Sequence, residues 1–175
     1  NETMHDAVQR ESKAARNSAG ILDASTLGKI DIQGTDASEF LNRVYTNAWS
    51  KLAIGKCRYG LMLNEDGMVY DDGVTTRLDE NHYIMTTTTG GAANVLGKLE
   101  DYLQTEWPEL DVYLSSVTDH YATASICGPN SKKILNKLIP DLDLSNESFP
   151  HMSFKNTKIN NIKCRIMRIS FTGEH

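Results

Sequence analysis

Three β-type segments follow one another between residues 56 and 89, and they limit the fold more than any other feature of the chain. The segments cover residues 57–63, 68–78 and 82–88. The turn-forming sequences Asn64-Glu65-Asp66-Gly67 and Asp79-Glu80-Asn81 separate them. Short polar connections of this kind join antiparallel neighbours. The pattern therefore predicts a meander of two hairpins.

Helical and extended segments surround this meander. Residues 5–19 are rich in helix formers and end at Gly20, a residue type favoured just after a helix. Asp36 and Glu39 have the spacing of a capping box ahead of a short second helix. Further helices are predicted at 92–103 and 134–139, and further strands at 26–32, 111–117, 121–127 and 161–171.

The expected fold class is therefore α+β, with helices packed on an antiparallel sheet meander. Residues 1–175 are expected to form a single, incomplete domain, since a chain of this length supports one core. A change of apolar phase between Ile166 and Met167 predicts a bulge in the last strand. The start at Asn1, without a Met, suggests part of a longer polypeptide.

The charge pattern argues against nucleic acids and anionic membranes as partners. The formal net charge is -5, whereas such partners are bound by clustered Lys and Arg. No apolar run approaches the roughly 20 residues that a membrane span needs. A small molecule or another protein is the expected partner.

The cysteines and histidines indicate neither a disulfide framework nor a metal site. Cys57, Cys127 and Cys164 are odd in number and far apart, and the five histidines have no metal-ligand spacing. The N-terminal segment also lacks the apolar core of a signal peptide. We therefore expect a cytoplasmic, reducing environment.

Asp72 is the main candidate for chemistry. Side chains alternate along a strand, so Asp72 would be the only charge on an apolar face of residues 68–78, with Asp71 on the other face. A carboxylate there must be hydrogen-bonded, paired or placed against a ligand, and desolvation would raise its pKa. Two alternatives remain open: a bulge at Gly73 that returns Asp72 to solvent, or a purely structural hydrogen bond.

Weaker signals lie in the threonine run and in the aromatic residues. The segment 86–91, with four Thr and two Gly, joins a strand to a helix, where free N–H groups attract acceptors, but the signal is weak and the segment alone favours a β-rich Thr run followed by a flexible turn. Tyr59 and Phe171 could stack on a flat heterocycle or could belong to the core.

Several segments together resemble the folate-binding aminomethyltransferase family, which includes the glycine-cleavage T-protein. They are DASTLGKI at 23–30, GKCRYG at 55–60, DGMVYDD at 66–72, CGP at 127–129 and SFTGE at 170–174. Other runs are similar to the branch formed by the alpha subunits of heterotetrameric sarcosine oxidases. These are STLGKI at 25–30, EFLNR at 39–43, DDGV at 71–74, TTTTGG at 86–91 and LQTEWPEL at 103–110.

The resemblance implies a set of site residues. Asp72 matches the family's active carboxylate, while Leu27, Tyr59 and Phe171 match positions that contact folate. Thr86, Thr87 and Thr88 occupy a stretch where T-proteins have an Asn-containing segment, a departure that agrees with the oxidase branch. We expect Asp72 to point into a cleft with Tyr59 and Leu27.

The resemblance also implies a function and partners. In the first hypothesis, a flavin-bearing beta subunit oxidises sarcosine, and tetrahydrofolate bound here receives the one-carbon unit as 5,10-methylenetetrahydrofolate. FAD, FMN and NAD would lie elsewhere in the assembly, so residues 1–175 alone would not oxidise an amine. The alternatives are a stand-alone aminomethyl or methyl transferase and a non-catalytic interaction module.

Overall fold

The computed structural model describes residues 2–170, which form two compact units. The larger unit contains residues 25–122, and the smaller contains residues 2–24 together with residues 123–170. The described strands are β1 Gly20–Asp23, β2 Gly28–Gln33, β3 Cys57–Leu63, β4 Val69–Asp79, β5 His82–Thr87, β6 Tyr113–Ser116, β7 Ala124–Cys127, β8 Ser153–Ile159 and β9 Ile162–Arg168. The described α-helices are α1 Met4–Asn17, α2 Ala37–Val44, α3 Ala92–Asp101 and α4 Ser131–Leu138.

The larger unit is built on a five-stranded antiparallel sheet with the strand order β3-β4-β5-β2-β6. The predicted meander of two hairpins, β3-β4-β5, is confirmed. Strand β2 extends the sheet by pairing with β5, where Ile30 lies opposite Met85 and Ile32 lies opposite Tyr83. These four side chains therefore share one face of the sheet.

That face and two helices form the main core. Helix α2 contributes Phe40 and Leu41, and α3 contributes Val95 and Leu99, all four fully buried. The helical spacing of these apolar residues places them on one side of each helix, so each helix buries a single stripe against the sheet. A π-helical turn, Tyr102–Glu106, follows α3 directly.

The smaller unit consists of two strand pairs with helices α1 and α4. Strands β1 and β7 pair antiparallel, and β8 and β9 form a hairpin. Its core contains Ile139, Leu144 and Phe149. The hairpin turn uses Asn160 and Asn161, whose φ angles of 49° and 68° suit a two-residue turn between twisted strands.

The α+β class is confirmed, whereas some local expectations are wrong. The Asp36 side chain makes no cap hydrogen bond to its helix and instead accepts one from the Asp111 backbone at 2.9 Å. The bulge expected near Ile166 is absent from the β8–β9 pairing, which is continuous from Ser153–Arg168 to Ile159–Ile162. Strands β1 and β8 were not predicted as separate elements.

Two classes of feature are absent from the part of the chain that the structure describes. Among residues 2–170, no helix is long and apolar enough to cross a membrane. Within the same range, no group of three or more His, Cys, Asp and Glu side chains is arranged to hold a metal ion.

Gly60 and Gly97 offer a matched test of packing in the larger unit. A Cβ at Gly60 would lie 2.6 Å from the Trp49 ring, whereas a Cβ at Gly97 would meet nothing within 4 Å. We expect Gly60→Ala to lower the free energy of unfolding by roughly 1–3 kcal/mol, because the buried ring cannot move away. Gly97→Ala, in the middle of α3, should raise it by about 0.5–1 kcal/mol. Denaturant unfolding of both variants measures the two changes, and a stabilising Gly60→Ala would contradict this packing.

Candidate functional site

The adjacent carboxylates Asp71 and Asp72 lie on opposite faces of the sheet. Asp71 lies opposite Met62 on β3, and Asp72 lies opposite Leu61. Met62 is 1% exposed and belongs to the main core. Because directly opposed residues share a face, Asp71 is on the core side and Asp72 is on the other side.

The expectation that Asp72 occupies the buried apolar face is therefore wrong. Asp71 is 4% exposed, whereas Asp72 is only half-buried. The reason lies at the centre of β4, where Thr75 and Thr76 point to opposite faces and are both buried. Since both faces are covered there, alternation of polar and apolar residues does not identify the core side. The expectation that the two carboxylates point in opposite directions is confirmed.

Asp72 and Tyr59 form a hydrogen-bonded pair on the outer face. The Tyr59 hydroxyl donates to Asp72 Oδ2 at 2.6 Å. The strand register brings the two side chains together, because Tyr59 lies opposite Val74, which is two residues from Asp72 on the same face of β4. This hydrogen bond is the main cause that raises the pKa of Tyr59 above its ordinary value. The Tyr59 hydroxyl therefore stays protonated at neutral pH and acts as a hydrogen-bond donor. Its side chain is 45% exposed, so its ring remains accessible.

Leu27 lies in the turn that leads into β2 and is 37% exposed. The buried Lys29 holds this turn, because its Nζ donates to the carbonyl oxygens of Ser25 at 3.0 Å and Leu27 at 2.9 Å. Sequence reasoning missed Lys29, although a charged residue inside an apolar strand was a usable signal. A cleft that joins Leu27 to Asp72 stays a prediction.

The threonine run is hydrogen-bonded within the protein. Thr86 Oγ1 accepts from the Val74 backbone at 2.9 Å, and the buried Thr87 hydroxyl donates to the Thr88 carbonyl oxygen at 2.9 Å. Thr88 binds the Asp71 carboxylate. The three residues therefore lie at the end of the sheet near Asp72. Contacts between them and folate stay a prediction. Phe171 lies outside the described residues.

Asp71 itself is an acid that sequence reasoning placed on the wrong side of the sheet. Burial is the largest influence on this carboxyl and raises its pKa, although hydrogen bonds from Thr88 oppose the change. The nearby Tyr45 hydroxyl is buried too, and its pKa is raised by burial and by the charges of Asp71 and Asp72. The core side of β4 is thus a region where ionised groups are disfavoured.

A cavity of about 370 Å³ lies elsewhere in the larger unit. Its lining includes Arg43, Met62, Tyr102 and Trp107, and the Arg43 guanidinium lies 5.2 Å from the Trp107 ring centre. Neither Asp72 nor Tyr59 lines this cavity. The cavity and the carboxylate–tyrosine pair are therefore distinct features.

The whole chain, residues 1–175, matches the family model described as the GCVT N-terminal domain. The chain belongs to this family, and the resemblance inferred from its sequence motifs is confirmed. The aminomethyltransferase of Listeria monocytogenes serotype 4a (strain HCC23) is 33% identical over 168 residues, which cover 95% of this chain and 44% of that protein.

Sarcosine oxidase alpha subunits are more similar. The subunit of Corynebacterium sp. (strain U-96) is 56% identical over 174 residues, which cover 99% of this chain, and that of Rhizobium meliloti (strain 1021) is 50% identical over 98% of this chain. In both cases the chain spans 18% of the relative's length.

Solved structures agree with the fold. The glycine cleavage system aminomethyltransferase T from Bartonella henselae superposes with a TM-score of 0.80 and 26% identity, over 95% of this chain and 43% of that chain. A chain of the heterotetrameric sarcosine oxidase from Corynebacterium sp. U-96 gives a TM-score of 0.61 at 13% identity, over 96% of this chain and 81% of that chain, and shows the shared fold alone.

The raised pKa of Asp71 predicts a specific pH dependence of stability. The folded state binds the Asp71 proton more tightly than the unfolded chain does, because burial disfavours the ionised form. Stability from this group therefore increases as the pH falls through the folded-state pKa, and the increase is complete below the unfolded value of about 3.9. The unaltered protein should therefore become more stable relative to the Asp71→Asn variant as the pH falls from the folded-state pKa of Asp71 to about 3.9.

The thermal unfolding midpoints of the unaltered protein and of Asp71→Asn, measured between neutral pH and about 4, give the difference in stability between them. Asp101→Asn is the matched control, because Asp101 is exposed at the end of α3. A difference between the unaltered protein and Asp71→Asn that does not change with pH would contradict the raised pKa.

Proposed function

We propose that this chain is the folate-binding part of a sarcosine oxidase alpha subunit, an oxidoreductase that acts on CH–NH groups. The complete enzyme oxidatively demethylates sarcosine to glycine and transfers the one-carbon unit to tetrahydrofolate, which forms 5,10-methylenetetrahydrofolate. The observation that carries this proposal is the Tyr59–Asp72 pair on an accessible face, in a chain 56% identical to a sarcosine oxidase alpha subunit.

The described residues fit a reduced folate. A flat pterin ring binds well against an exposed aromatic side chain and an apolar neighbour, and Tyr59 and Leu27 provide such groups. Its N–H groups need an acceptor, which the Asp72 carboxylate provides. Because the Tyr59 hydroxyl binds Oδ2, Asp72 Oδ1 is left to accept from the ligand.

The roles of Asp72 and Tyr59 follow from their charge and geometry. Reduced folate supplies the nitrogen atoms that accept the one-carbon unit. Asp72 orients one of these nitrogens by accepting its hydrogen bond and stabilises the positive charge that develops as the carbon adds. Tyr59, whose hydroxyl donates to Oδ2, fixes the carboxylate in one orientation.

Amine oxidation is assigned to other parts of the assembly. Residues 1–175 contain no G-x-G-x-x-G dinucleotide fingerprint, so we place FAD, FMN and NAD outside them. A flavin-bearing beta subunit is the proposed protein partner. The Corynebacterium relative of similar fold is described as heterotetrameric, which supports partners of this kind.

A stand-alone aminomethyl transferase is the second candidate function. The 26% identity and TM-score of 0.80 with the Bartonella henselae aminomethyltransferase favour it. The two candidates differ in their cofactors, because only the oxidase needs a flavin partner. Flavin absorbance in the complete, purified protein with its subunits therefore separates them.

For the sarcosine oxidase function, we expect Asp72→Asn in the complete enzyme to impair transfer of the one-carbon unit to tetrahydrofolate while sarcosine oxidation continues. The yield of 5,10-methylenetetrahydrofolate should fall by roughly a hundredfold, the lower end of the range expected when one group that stabilises developing charge is removed. The rate of sarcosine oxidation should remain unchanged, because the flavin site is separate. Formaldehyde dehydrogenase, added to intercept free formaldehyde during turnover, measures the lost carbon.

Asp101→Asn serves as the control, since Asp101 is an exposed acid at the end of α3. An unchanged yield of 5,10-methylenetetrahydrofolate from the Asp72→Asn enzyme would sink the proposed role of Asp72. A parallel loss of flavin reduction would show that the two sites are not separate.

A further inference from the structure

Asp71 takes no part in the chemistry proposed above, yet it is a buried acid next to Asp72. Its side chain is 4% exposed, and none of the ion pairs formed among residues 2–170 includes it. A buried carboxylate without a cation is stable only when hydrogen bonds satisfy it. The groups that donate hydrogen bonds to Asp71 therefore identify the part of the protein that this residue holds in place.

A single residue, Thr88, provides two of these donors. The Thr88 hydroxyl donates to Asp71 Oδ1 at 2.6 Å, and the Thr88 backbone N–H donates to Oδ2 at 3.3 Å. Thr88 Oγ1 also accepts from the Gly91 backbone N–H at 3.1 Å. Gly91 directly precedes α3. Asp71, Thr88 and Gly91, the Asp71 latch, thus connect β4 to the start of α3.

The latch is tightly packed and lies at the start of α3. A Cβ at Gly91 would lie 2.6 Å from both Asp71 Oδ1 and Thr88 Oγ1, so only glycine fits without a shift of these atoms. A negative charge at the start of a helix is stabilised by the aligned N–H groups there. The loop from Thr88 to Gly91 is consequently held in one arrangement.

The same loop reaches both sides of the proposed folate site. Thr88 binds Asp71, which directly precedes Asp72. Thr89 Oγ1 lies 3.2 Å from Thr26 Oγ1, a hydrogen bond to the residue that directly precedes Leu27. The loop from Thr88 to Gly91 therefore links the residue that precedes Leu27 to the residue that precedes Asp72, two positions that lie far apart in the sequence.

We propose that Asp71 is a positioning residue for binding of the reduced pterin, acting through Thr88 on the loop 88–91 and on Leu27. This inference rests on the proposed function, because it specifies how the folate site is kept in its binding geometry. Asp71 does not contact the ligand. Its carboxylate faces the core, while Asp72 faces the ligand on the opposite side of β4.

Thr88→Val and Thr88→Ser in the complete protein test this inference. Valine retains the branched shape and the backbone N–H but removes the hydroxyl, whereas serine retains the hydroxyl. Calorimetric titration with tetrahydrofolate should show about tenfold weaker binding for Thr88→Val, and recovery to within about twofold of the unaltered affinity for Thr88→Ser. Thr105→Val is the matched control, because the exposed Thr105 hydroxyl donates to the Asp101 carbonyl oxygen in the preceding turn.

Hydrogen–deuterium exchange provides a readout that a general loss of stability would not reproduce. Thr88→Val should speed exchange in residues 88–95 and around Leu27 and leave the rest of residues 25–122 unchanged, since Thr88 holds the loop and the start of α3, and Thr89 of this loop is hydrogen-bonded to Thr26. Faster exchange throughout residues 25–122 would indicate a folding defect and overturn the inference.

The titration has two further outcomes against the inference. Unaltered folate affinity in Thr88→Val, or equally weak binding by Thr88→Ser, would overturn the positioning role while leaving the proposed function intact. Absence of tetrahydrofolate binding by the unaltered protein would overturn the proposed function, and this inference with it.

Discussion

Strand β4 carries two adjacent carboxylates, and its antiparallel pairing with β3 sends them to opposite faces of the sheet. The arrangement of the site depends on this register, because a slip of one residue would exchange the two environments. Glycine maintains the register where strands lie close together. A Cβ at Gly73 would lie 1.8 Å from the Thr86 carbonyl oxygen. Asp72 can therefore face Tyr59 and solvent only while Asp71 faces the core.

Burial of the Asp71 carboxylate opposes folding, so interactions close to it must offset this free-energy cost. A buried carboxylate with no hydrogen bonds would cost several kcal/mol or would remain protonated, so the two donors from Thr88 and the start of α3 matter. The raised pKa indicates that the compensation is incomplete. A purely structural position could hold an apolar residue instead, and this supports a link between Asp71 and the adjacent site.

The elements of the larger unit could be predicted from sequence, whereas the side on which each polar residue is buried could not. Turn residues and alternation fixed β3, β4 and β5 to within about two residues, because local chemistry determines hairpins. The burial of Asp71 depends on Thr88, 17 residues away in the chain, and no pattern within β4 itself indicates this partner. The same holds for Asp36, whose expected capping role is replaced by a hydrogen bond from Asp111.

We propose that the outward carboxylate of β4, Asp72, binds the reduced folate. Calorimetric titration of the unaltered complete protein and of its Asp72→Asn variant with tetrahydrofolate measures this contact. We expect saturable binding at one site, weakened by about tenfold or more in the variant, since the lost contact is a charge-assisted hydrogen bond. Equal affinities in the two proteins would contradict it.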